Sequence, residues 1–91
     1  MKNIRIGQKE IIHFLGIGGI GMSGLAQVMK TMGFTIQGSD QNKNKSTSNC
    51  SKAGIKVFIG HSKKNIKNVT IVVKSSAIKD NNVEIKQAKK R

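Results

Sequence analysis

The feature that most constrains this chain is a glycine-rich segment between a short apolar run and a helix-like pattern. Residues 11–15 are apolar except for one histidine, and glycines follow at Gly16, Gly18 and Gly21 with the spacing G-x-G-x-x-G. From residue 20 to residue 32, apolar side chains recur at helical spacing. A strand, a glycine loop and a helix in this order form a diphosphate site, because the first N–H groups of the helix lack helical partners and point at the anion.

Each of the three glycines is expected to have its own role. Gly16 permits a sharp turn, Gly18 lets the backbone approach the ligand without a Cβ atom, and Gly21 lets the helix pack closely on the strand. Gly19 makes the loop more open still. The loop predicts a nucleotide ligand but does not identify it.

Strand-like and helix-like segments alternate along the rest of the chain. The predicted strands are residues 11–15, 34–38, 56–59 and 70–73. The predicted helices are a first helix that begins with Met22 and Ser23 and continues to about residue 32, a weak helix over about residues 47–53, and a last helix through Val83, Ile85 and Ala88 that Asp80 or Asn81 caps. The apolar face of the first helix is expected to contain Ile20, Met22, Leu25, Ala26, Met29 and Met32. This alternation predicts an α/β fold, a Rossmann-like open parallel sheet with flanking helices.

The chain divides into a polar lead-in, residues 1–10, and one small domain, residues 11–91. A doubly wound sheet normally gains another strand after such a last helix. We therefore expect the sheet to lack its last strand or strands. The chain is then an N-terminal fragment or an excised domain of a longer protein.

Composition excludes several classes of protein. The single cysteine, Cys50, excludes an intrachain disulfide and a cysteine-rich zinc site, as suits a reducing compartment. No apolar run approaches the roughly 18 residues that a membrane span needs, and no signal-peptide core is present. We expect a soluble, cytoplasmic protein with no membrane partner, and we expect Cys50 to be structural.

The formal net charge of +13 raises the question of a nucleic-acid partner. The 17 basic residues are nearly all lysines spread along the chain, with no aromatic side chains among them to stack on bases. Asparagine is abundant too, and an A/T-biased coding sequence produces both excesses on tolerant surfaces. We expect no nucleic-acid partner, and a diffuse positive field that attracts anionic ligands.

Asp40 lies at the end of the second predicted strand, 19 residues after Gly21. An acid at this point accepts hydrogen bonds from ribose hydroxyls in the dinucleotide fingerprint. The simpler alternative is that Asp40 starts a turn together with Ser39. Order and spacing favour the ligand role.

Small polar residues and two histidines complete the candidates. Ser75, Ser76 and Ala77 follow the fourth strand and belong beside the glycine loop if the first and fourth strands are neighbours. They either contact a phosphate or sugar or form a plain turn. His61 follows the third strand at the same edge and either contacts base or ribose or has no role, whereas His13 is expected to be a core residue with one hydrogen bond.

No residue set suggests catalysis within the chain. Glu10, Asp80 and Glu84 are scattered and expected to be solvated. The sequence has no G-x-x-x-x-G-K-[ST] phosphate loop, no paired carboxylates and no nucleophile beside a base. Any chemistry is expected to take place elsewhere or on a cofactor.

Four blocks of the sequence resemble the Mur ligases, the enzymes that add amino acids in peptidoglycan synthesis. The blocks are Ile-His-Phe-Leu-Gly-Ile-Gly-Gly-Ile-Gly-Met-Ser-Gly at 12–24, Gly-Ser-Asp at 38–40, Val-Phe-Ile-Gly-His at 57–61 and Val-Val-Lys-Ser-Ser-Ala-Ile at 72–78. They occur in the family's order and span most of residues 11–85. The Ser-Ser-Ala-Ile block favours the alanine-adding branch over the branch that recycles murein peptides.

The resemblance implies a domain that binds the UDP part of UDP-N-acetylmuramate. The residues that would cradle the diphosphate are Gly16, Ile17, Gly18, Gly19, Gly21 and Met22. Those that would hold ribose or uracil are Ser39 and Asp40, with His61 nearby. Those that would line the diphosphate–sugar side are Ser75, Ser76 and Ala77.

The family's reaction uses ATP and Mg²⁺ to form an acyl phosphate of the muramyl carboxylate, which L-alanine attacks. The family's ATP loop and amino-acid domain lie downstream of these blocks. We therefore expect no cofactor here, and binding without ligation by these residues alone. Residues 42–51 depart from the family, because its second helix usually carries a leucine face, so we expect a loose helix and a poorly formed ribose edge.

Two other functions stay open at this point. The glycine pattern with Asp40 also permits an NAD-binding module of a dehydrogenase or transport regulator. Charge alone permits a nucleic-acid-binding protein. The sequence leaves the oligomeric state undetermined.

Overall fold

A computed structural model describes residues 10–90 and contains four strands, three helices and one short 3-10 turn. The strands are β1 Ile11–Leu15, β2 Thr35–Asp40, β3 Lys56–Ile59 and β4 Ile71–Lys74. The helices are α1 Met22–Thr31, α2 Lys45–Lys52 and α3 Val83–Lys89, and the 3-10 turn is Lys63–Ile66. The predicted alternation is confirmed, while nearly all of the predicted lead-in lies outside the described residues. None of these helices has the length and apolar character to cross a membrane.

The four strands form one parallel sheet in the order β3-β2-β1-β4. β1 is central, and Phe14 pairs with Gly38 of β2 on one side and Val73 of β4 on the other. This confirms the predicted α/β fold with an open parallel sheet. After β1 the chain forms β2 and β3 on one side of it and then crosses to form β4 on the other side. The glycine loop at the carboxyl end of β1 therefore lies at the topological switch point, where such folds bind ligands.

The core forms around β1, which is buried on both faces. Phe14, Leu15 and the loop residue Ile17 have no exposed surface. A Cβ atom added to Gly38 would lie 2.5 Å from Ile17 Cδ1 and 2.7 Å from the backbone oxygen of Phe14. Gly38 therefore lets the glycine loop fold back over the sheet and place Ile17 in the core.

Helix α1 begins at Met22, as predicted, but its buried face is narrower than the predicted apolar face. Ala26 is buried, and Met22 and Met29 pack against the core cluster. The prediction of one apolar face is wrong for Ile20, which is fully exposed and precedes the helix. It is also wrong for two further members, because Leu25 and Met32 are 48% and 66% exposed.

Helix α2 begins at Lys45, and its N-terminus is well capped despite its polar sequence. The Asn44 side chain accepts a hydrogen bond from the Thr47 N–H at 2.9 Å, and Thr47 Oγ1 accepts one from the Asn44 N–H at 2.8 Å. Thr47 and Cys50 are buried. This geometry is that of an ordered helix and not of the loose helix that the sequence predicted. Burial raises the pKa of the Cys50 thiol, which agrees with a structural role.

Two glycine substitutions test this packing. We expect Gly38→Ala to destabilise the protein by at least about 2 kcal/mol, because the added methyl group collides with backbone and core atoms. Gly24→Ala, in α1, meets no atom within 4 Å and should stabilise the helix by about 0.5–1 kcal/mol. Urea unfolding followed by far-UV circular dichroism measures both, since the chain has no Trp or Tyr. Equal stability of the two variants would contradict this account of Gly38.

Candidate functional site

An open cleft of about 760 Å³ lies at the carboxyl edge of the sheet, a volume typical of ligand sites. The predicted site residues that line it are Gly16, Gly18, Gly19, Asp40, His61, Ser75 and Ala77. Those that do not line it are Ile17, Gly21, Met22, Ser39 and Ser76. The structure thus brings together residues from the ends of all four strands.

Sequence reasoning missed several residues that line the cleft. They are Gln41, Asn42, Asn44, Ile78, Lys79, Asn81, Asn82 and Val83. All follow the carboxyl ends of β2 and β4, and this position is the signal that could have found them.

The glycine loop is tied to the end of β2 by its backbone. Gly16 has a φ of +84°, which provides the predicted sharp turn. The N–H groups of Gly16 and Ile17 both donate to the Ser39 carbonyl oxygen, at 2.8 and 3.0 Å. Ile17 can therefore offer the cleft no free N–H, and its side chain lies in the core.

The structure explains the glycines at positions 18 and 21 by reasons different from those that the sequence predicted. A Cβ atom at Gly18 would lie 2.8 Å from Thr47 Cγ2 and 2.9 Å from Asp40 Oδ2, so the space is filled by the protein itself. A Cβ atom at Gly21 would meet nothing within 4 Å. The predicted close packing at Gly21 is therefore wrong, and its φ of +80° is what requires glycine.

The N-terminus of α1 is left without a cap. Gly21 occupies the N-cap position without a side-chain hydrogen bond, and the first turn has no acidic residue. Within residues 10–90, the N–H groups of Ile20, Gly21, Ser23 and Gly24 donate to no protein acceptor. Such free N–H groups and the positive end of the helix dipole suit an anion. The Met22 N–H, by contrast, donates to the Gly19 oxygen at 3.1 Å.

Asp40 fastens the glycine loop to the segment after β2. Its Oδ2 accepts a hydrogen bond from the Gly18 N–H at 2.8 Å, and its Oδ1 accepts one from the Asn42 N–H at 3.3 Å. The turn role is therefore present. The ribose role remains a prediction, and Asp40 does line the cleft.

Ser75 lies directly beside the glycine loop, since its N–H donates to the Leu15 oxygen at 3.2 Å as β4 ends. The first and fourth strands are neighbours, so the condition for placing Ser75 beside the glycine loop is met. The Ser75 hydroxyl oxygen accepts a hydrogen bond from the Ala77 N–H at 3.2 Å, which forms a turn at the cleft wall. Ser76 is exposed and lies outside the cleft lining.

Glu84 contradicts the prediction that it is solvated, because it is 1% exposed. Its carboxylate accepts hydrogen bonds from His13 Nε2, Ser39 Oγ and Asn65 Nδ2, each at 2.7 Å. The Ser62 N–H donates to it at 2.9 Å. Four donors from three other segments make this burial possible.

Helix α3 brings Glu84 to this position. The Asn82 side chain accepts a hydrogen bond from the Glu84 N–H at 2.8 Å, so Asn82 is the N-cap and the predicted cap at Asp80 or Asn81 is wrong. Asp80 is exposed, as predicted, and its carboxylate lies 3.8 Å from Lys74 Nζ. A polar residue such as His13 within an apolar strand indicates a buried hydrogen-bond partner, but the sequence does not identify that partner.

Burial and hydrogen bonding act in opposite directions on the Glu84 pKa. Burial disfavours the charged carboxylate and raises the pKa, while the hydrogen bonds from His13, Ser39, Asn65 and Ser62 lower it. The hydrogen bonds prevail, and the pKa falls from 4.5 to about 2. Glu84 is therefore ionised at neutral pH and accepts hydrogen bonds only.

His13, Ser39 and His61 surround this carboxylate. His13 is fully buried, as predicted for a core residue, and makes more than the one expected hydrogen bond. Ser39 is also fully buried, so its side chain faces this network and not the cleft. His61 Nδ1 lies 3.1 Å from Ser39 Oγ, and the side chain lines the cleft.

Removing Asp40 should loosen the glycine loop. We expect Asp40→Ala to speed amide hydrogen exchange at Gly18 by about ten-fold or more, because the N–H loses its acceptor. Asp40→Asn, which keeps an acceptor oxygen, should give a smaller effect. Asp80→Ala serves as the control for loss of an acid, and exchange measured by NMR that is equal in the two alanine variants would contradict the assignment.

The lowered Glu84 pKa predicts acid sensitivity. A carboxyl with a pKa of about 2 when folded and 4.5 when unfolded stabilises the fold above pH 4.5, and this stability is lost as the pH falls from 4.5 to about 2. The contribution is on the order of 3 kcal/mol. Urea unfolding at pH 7, 4.5 and 3 should show the loss in the wild type.

Glu84→Gln should be less stable at pH 7, and its remaining stability should depend less on pH over this range. Asp80→Asn is the matched control, because it removes the charge of an exposed acid. It should retain the acid sensitivity of the wild type. An unchanged pH dependence in a folded Glu84→Gln protein would show that this carboxyl does not titrate as described.

Comparisons with known proteins agree with this geometry. Residues 11–91 match the family described as "Mur ligase family, catalytic domain". The UDP-N-acetylmuramate--L-alanine ligase of Pelagibacter ubique is 59% identical over 86 residues, which is 94% of this chain and 18% of that protein. The ligase of the same name from Rickettsia typhi is 55% identical over 80 residues, 88% of this chain and 16% of that protein.

Solved structures resemble the chain as well. The UDP-N-acetylmuramate-alanine ligase of Thermotoga maritima has a TM-score of 0.83 and 39% identity, covering 87% of this chain and 18% of that one. The UDP-N-acetylmuramate:L-alanyl-gamma-D-glutamyl-meso-diaminopimelate ligase from Neisseria meningitides has a TM-score of 0.75 and 27% identity, covering 87% of this chain and 25% of that one. The chain thus spans less than a fifth of the length of the curated relatives named above. With the family match over residues 11–91 and these identities, the chain belongs to the Mur ligase family.

Proposed function

We propose that this chain is the UDP-binding part of a UDP-N-acetylmuramate–L-alanine ligase of peptidoglycan synthesis. It holds the UDP part of UDP-N-acetylmuramate in the cytoplasm while other segments of the enzyme add L-alanine. The observation that carries the proposal is the uncapped N-terminus of α1 beside a cleft at the sheet's switch point. The higher identity and TM-score of the alanine-adding relatives favour this branch of the family.

The surroundings of the loop suit a diphosphate. The free N–H groups of Ile20, Gly21, Ser23 and Gly24 supply donors at the positive end of the α1 dipole. The net charge of +13 attracts an anion from solution, with a strength that decreases as salt is added. Asp40, His61 and Ser75 line the cleft. In this proposal Asp40 and His61 lie near the nucleoside, and Ser75 lies beside the diphosphate and sugar.

ATP and Mg²⁺ do not fit the residues described here. The sequence has no G-x-x-x-x-G-K-[ST] loop, and residues 10–90 contain no cluster of three or more His, Cys, Asp or Glu that could hold a metal ion. We assign the ATP-dependent step to other segments of the enzyme. The role of these residues is to bind and orient.

Calorimetric titration separates the proposal from its alternatives. We expect UDP-N-acetylmuramate to bind, and NAD and an oligonucleotide to bind much more weakly at physiological salt. Binding of NAD without any response to the UDP-sugar would replace the proposal with a dinucleotide-binding module. Oligonucleotide binding that persists at high salt would favour a nucleic-acid protein.

A pair of substitutions at Ser75 tests the position of the diphosphate. Asp and Asn are nearly equal in size, and both can accept the hydrogen bond from the Ala77 N–H that Ser75 now accepts. They differ in charge and in the two N–H donors of the Asn amide. We expect Ser75→Asp to weaken UDP-sugar binding by about ten-fold or more through repulsion, and Ser75→Asn to weaken it less. Equal affinities of the two variants would place the diphosphate away from this wall.

A further inference from the structure

We propose that Glu84 is a positioning residue for the nucleotide site, and that it acts through Ser39 to fix the tautomer of His61. The fixed ring turns a hydrogen-bond acceptor, Nε2, toward the cleft. His61 thereby selects a ligand group that carries an N–H or O–H, such as a ribose hydroxyl or a base imide, over a phosphate oxygen. This inference rests on the proposed function for the identity of the ligand.

The Ser39 hydroxyl proton determines how the other groups of this network are protonated. Glu84 accepts hydrogen bonds only, and the Ser39 hydroxyl donates to its Oε1 at 2.7 Å. A hydroxyl has one proton, so Ser39 Oγ can only accept from its other neighbours. Since both groups are fully buried, no water competes for these bonds.

The His61 ring must therefore carry its proton on Nδ1. Nδ1 lies 3.1 Å from Ser39 Oγ and 3.5 Å from Glu84 Oε2, and neither oxygen has a proton to give it. In a neutral ring, Nε2 then holds a lone pair. Nε2 has no protein partner within residues 10–90, where every buried side-chain nitrogen and oxygen is satisfied. It is therefore open to the cleft that His61 lines.

The second histidine of the network does not disturb this assignment. Gln37 Nε2 donates to the Asn65 carbonyl oxygen at 2.6 Å, which fixes the orientation of its amide. The same nitrogen lies 2.7 Å from His13 Nδ1, so His13 Nδ1 accepts. His13 Nε2 therefore carries the proton and donates to Glu84 at 2.7 Å. Every proton in the network is then accounted for by one arrangement.

An acceptor at His61 requires a ligand group that can donate a hydrogen bond. A phosphate oxygen has no proton to donate, so a neutral His61 gains nothing from it and repels its lone pairs. The ribose hydroxyls and the N3–H of uracil can donate. In a UDP-sugar, His61 would therefore recognise the nucleoside and leave the diphosphate to the glycine loop.

Histidine ¹⁵N NMR at pH 8, where a free imidazole is neutral, reads the tautomer directly. We expect His61 of the wild type to be protonated on Nδ1, with Nε2 unprotonated. Ser39→Ala removes the acceptor and should shift the ring toward the Nε2–H form. Ser51→Ala, an exposed hydroxyl on α2, is the matched control and should leave the spectrum unchanged. A wild-type ring protonated on Nε2 would overturn the proposal.

Glu84→Gln tests the carboxylate itself. If circular dichroism shows that the variant is folded, the tautomer should change as in Ser39→Ala, because a neutral amide no longer takes the Ser39 proton as strongly. A folded variant with the wild-type tautomer would show that Glu84 does not position the ring. If Glu84→Gln fails to fold, Ser39→Ala still tests whether this network fixes the His61 tautomer.

Binding of UDP and of inorganic pyrophosphate gives the functional readout. Ser39→Ala should weaken UDP binding about ten-fold and leave pyrophosphate binding unchanged. Equal losses for both ligands would place His61 at the diphosphate and overturn the selection. If the wild type binds neither UDP nor UDP-N-acetylmuramate, the proposed function fails, while the NMR result still decides the positioning role of Glu84.

Two UDP analogues identify the donor that His61 meets. 2′-Deoxy-UDP lacks one ribose hydroxyl, and 3-methyl-UDP lacks the base N–H. The analogue without the relevant donor should bind the wild type and Ser39→Ala equally, because the hydrogen bond is already lost. If Ser39→Ala weakened both analogues as much as UDP, the acceptor role of Nε2 toward these two groups would be refuted.

Discussion

The buried Glu84 carboxylate is the interaction on which the arrangement of the cleft depends. It accepts hydrogen bonds from His13 of β1, from Ser39 of β2 and from Ser62 and Asn65 after β3. One anion in the first turn of α3 thus connects β1, β2 and the segment after β3 with the last helix. A buried charge of this kind is stable only while its donors stay in place, so the segments that supply them are held in one relative position.

The same network lies directly beneath the ligand-facing surface. Ser39 contributes its carbonyl oxygen to the glycine loop and its hydroxyl to Glu84. The backbone of this one residue fixes the loop, and its side chain contacts His61, which also lines the cleft. In the proposed function, stability and ligand recognition therefore share a residue that is itself inaccessible to the ligand. This explains how Ser39 can matter to the site without lining it.

The features that the sequence predicted correctly are determined by residues that lie close together in the sequence. The strand β1, the turn at Gly16 and the order of elements follow from local periodicity and glycine spacing. Glu84 was missed because its partner His13 is 71 residues away, and no local pattern distinguishes a buried glutamate from a solvated one. Ile20 was misplaced because apolar spacing continues across Gly21, where the backbone changes direction. Gly18 was assigned to the ligand, whereas α2 occupies the space beside it.

One of the three helix N-termini lacks the side-chain cap that the other two have. Asn44 caps α2 and Asn82 caps α3, each through a side-chain oxygen that accepts a backbone N–H. Gly21 gives α1 no such cap, although an asparagine or serine at an N-cap typically exceeds a glycine by a few tenths of a kcal/mol. The unmet N–H groups lie next to the glycine loop, where a bound anion would satisfy them. We infer that the diphosphate of the ligand takes the place of a side-chain cap at α1. Ligand binding would then supply hydrogen-bond acceptors to the N–H groups of the first turn.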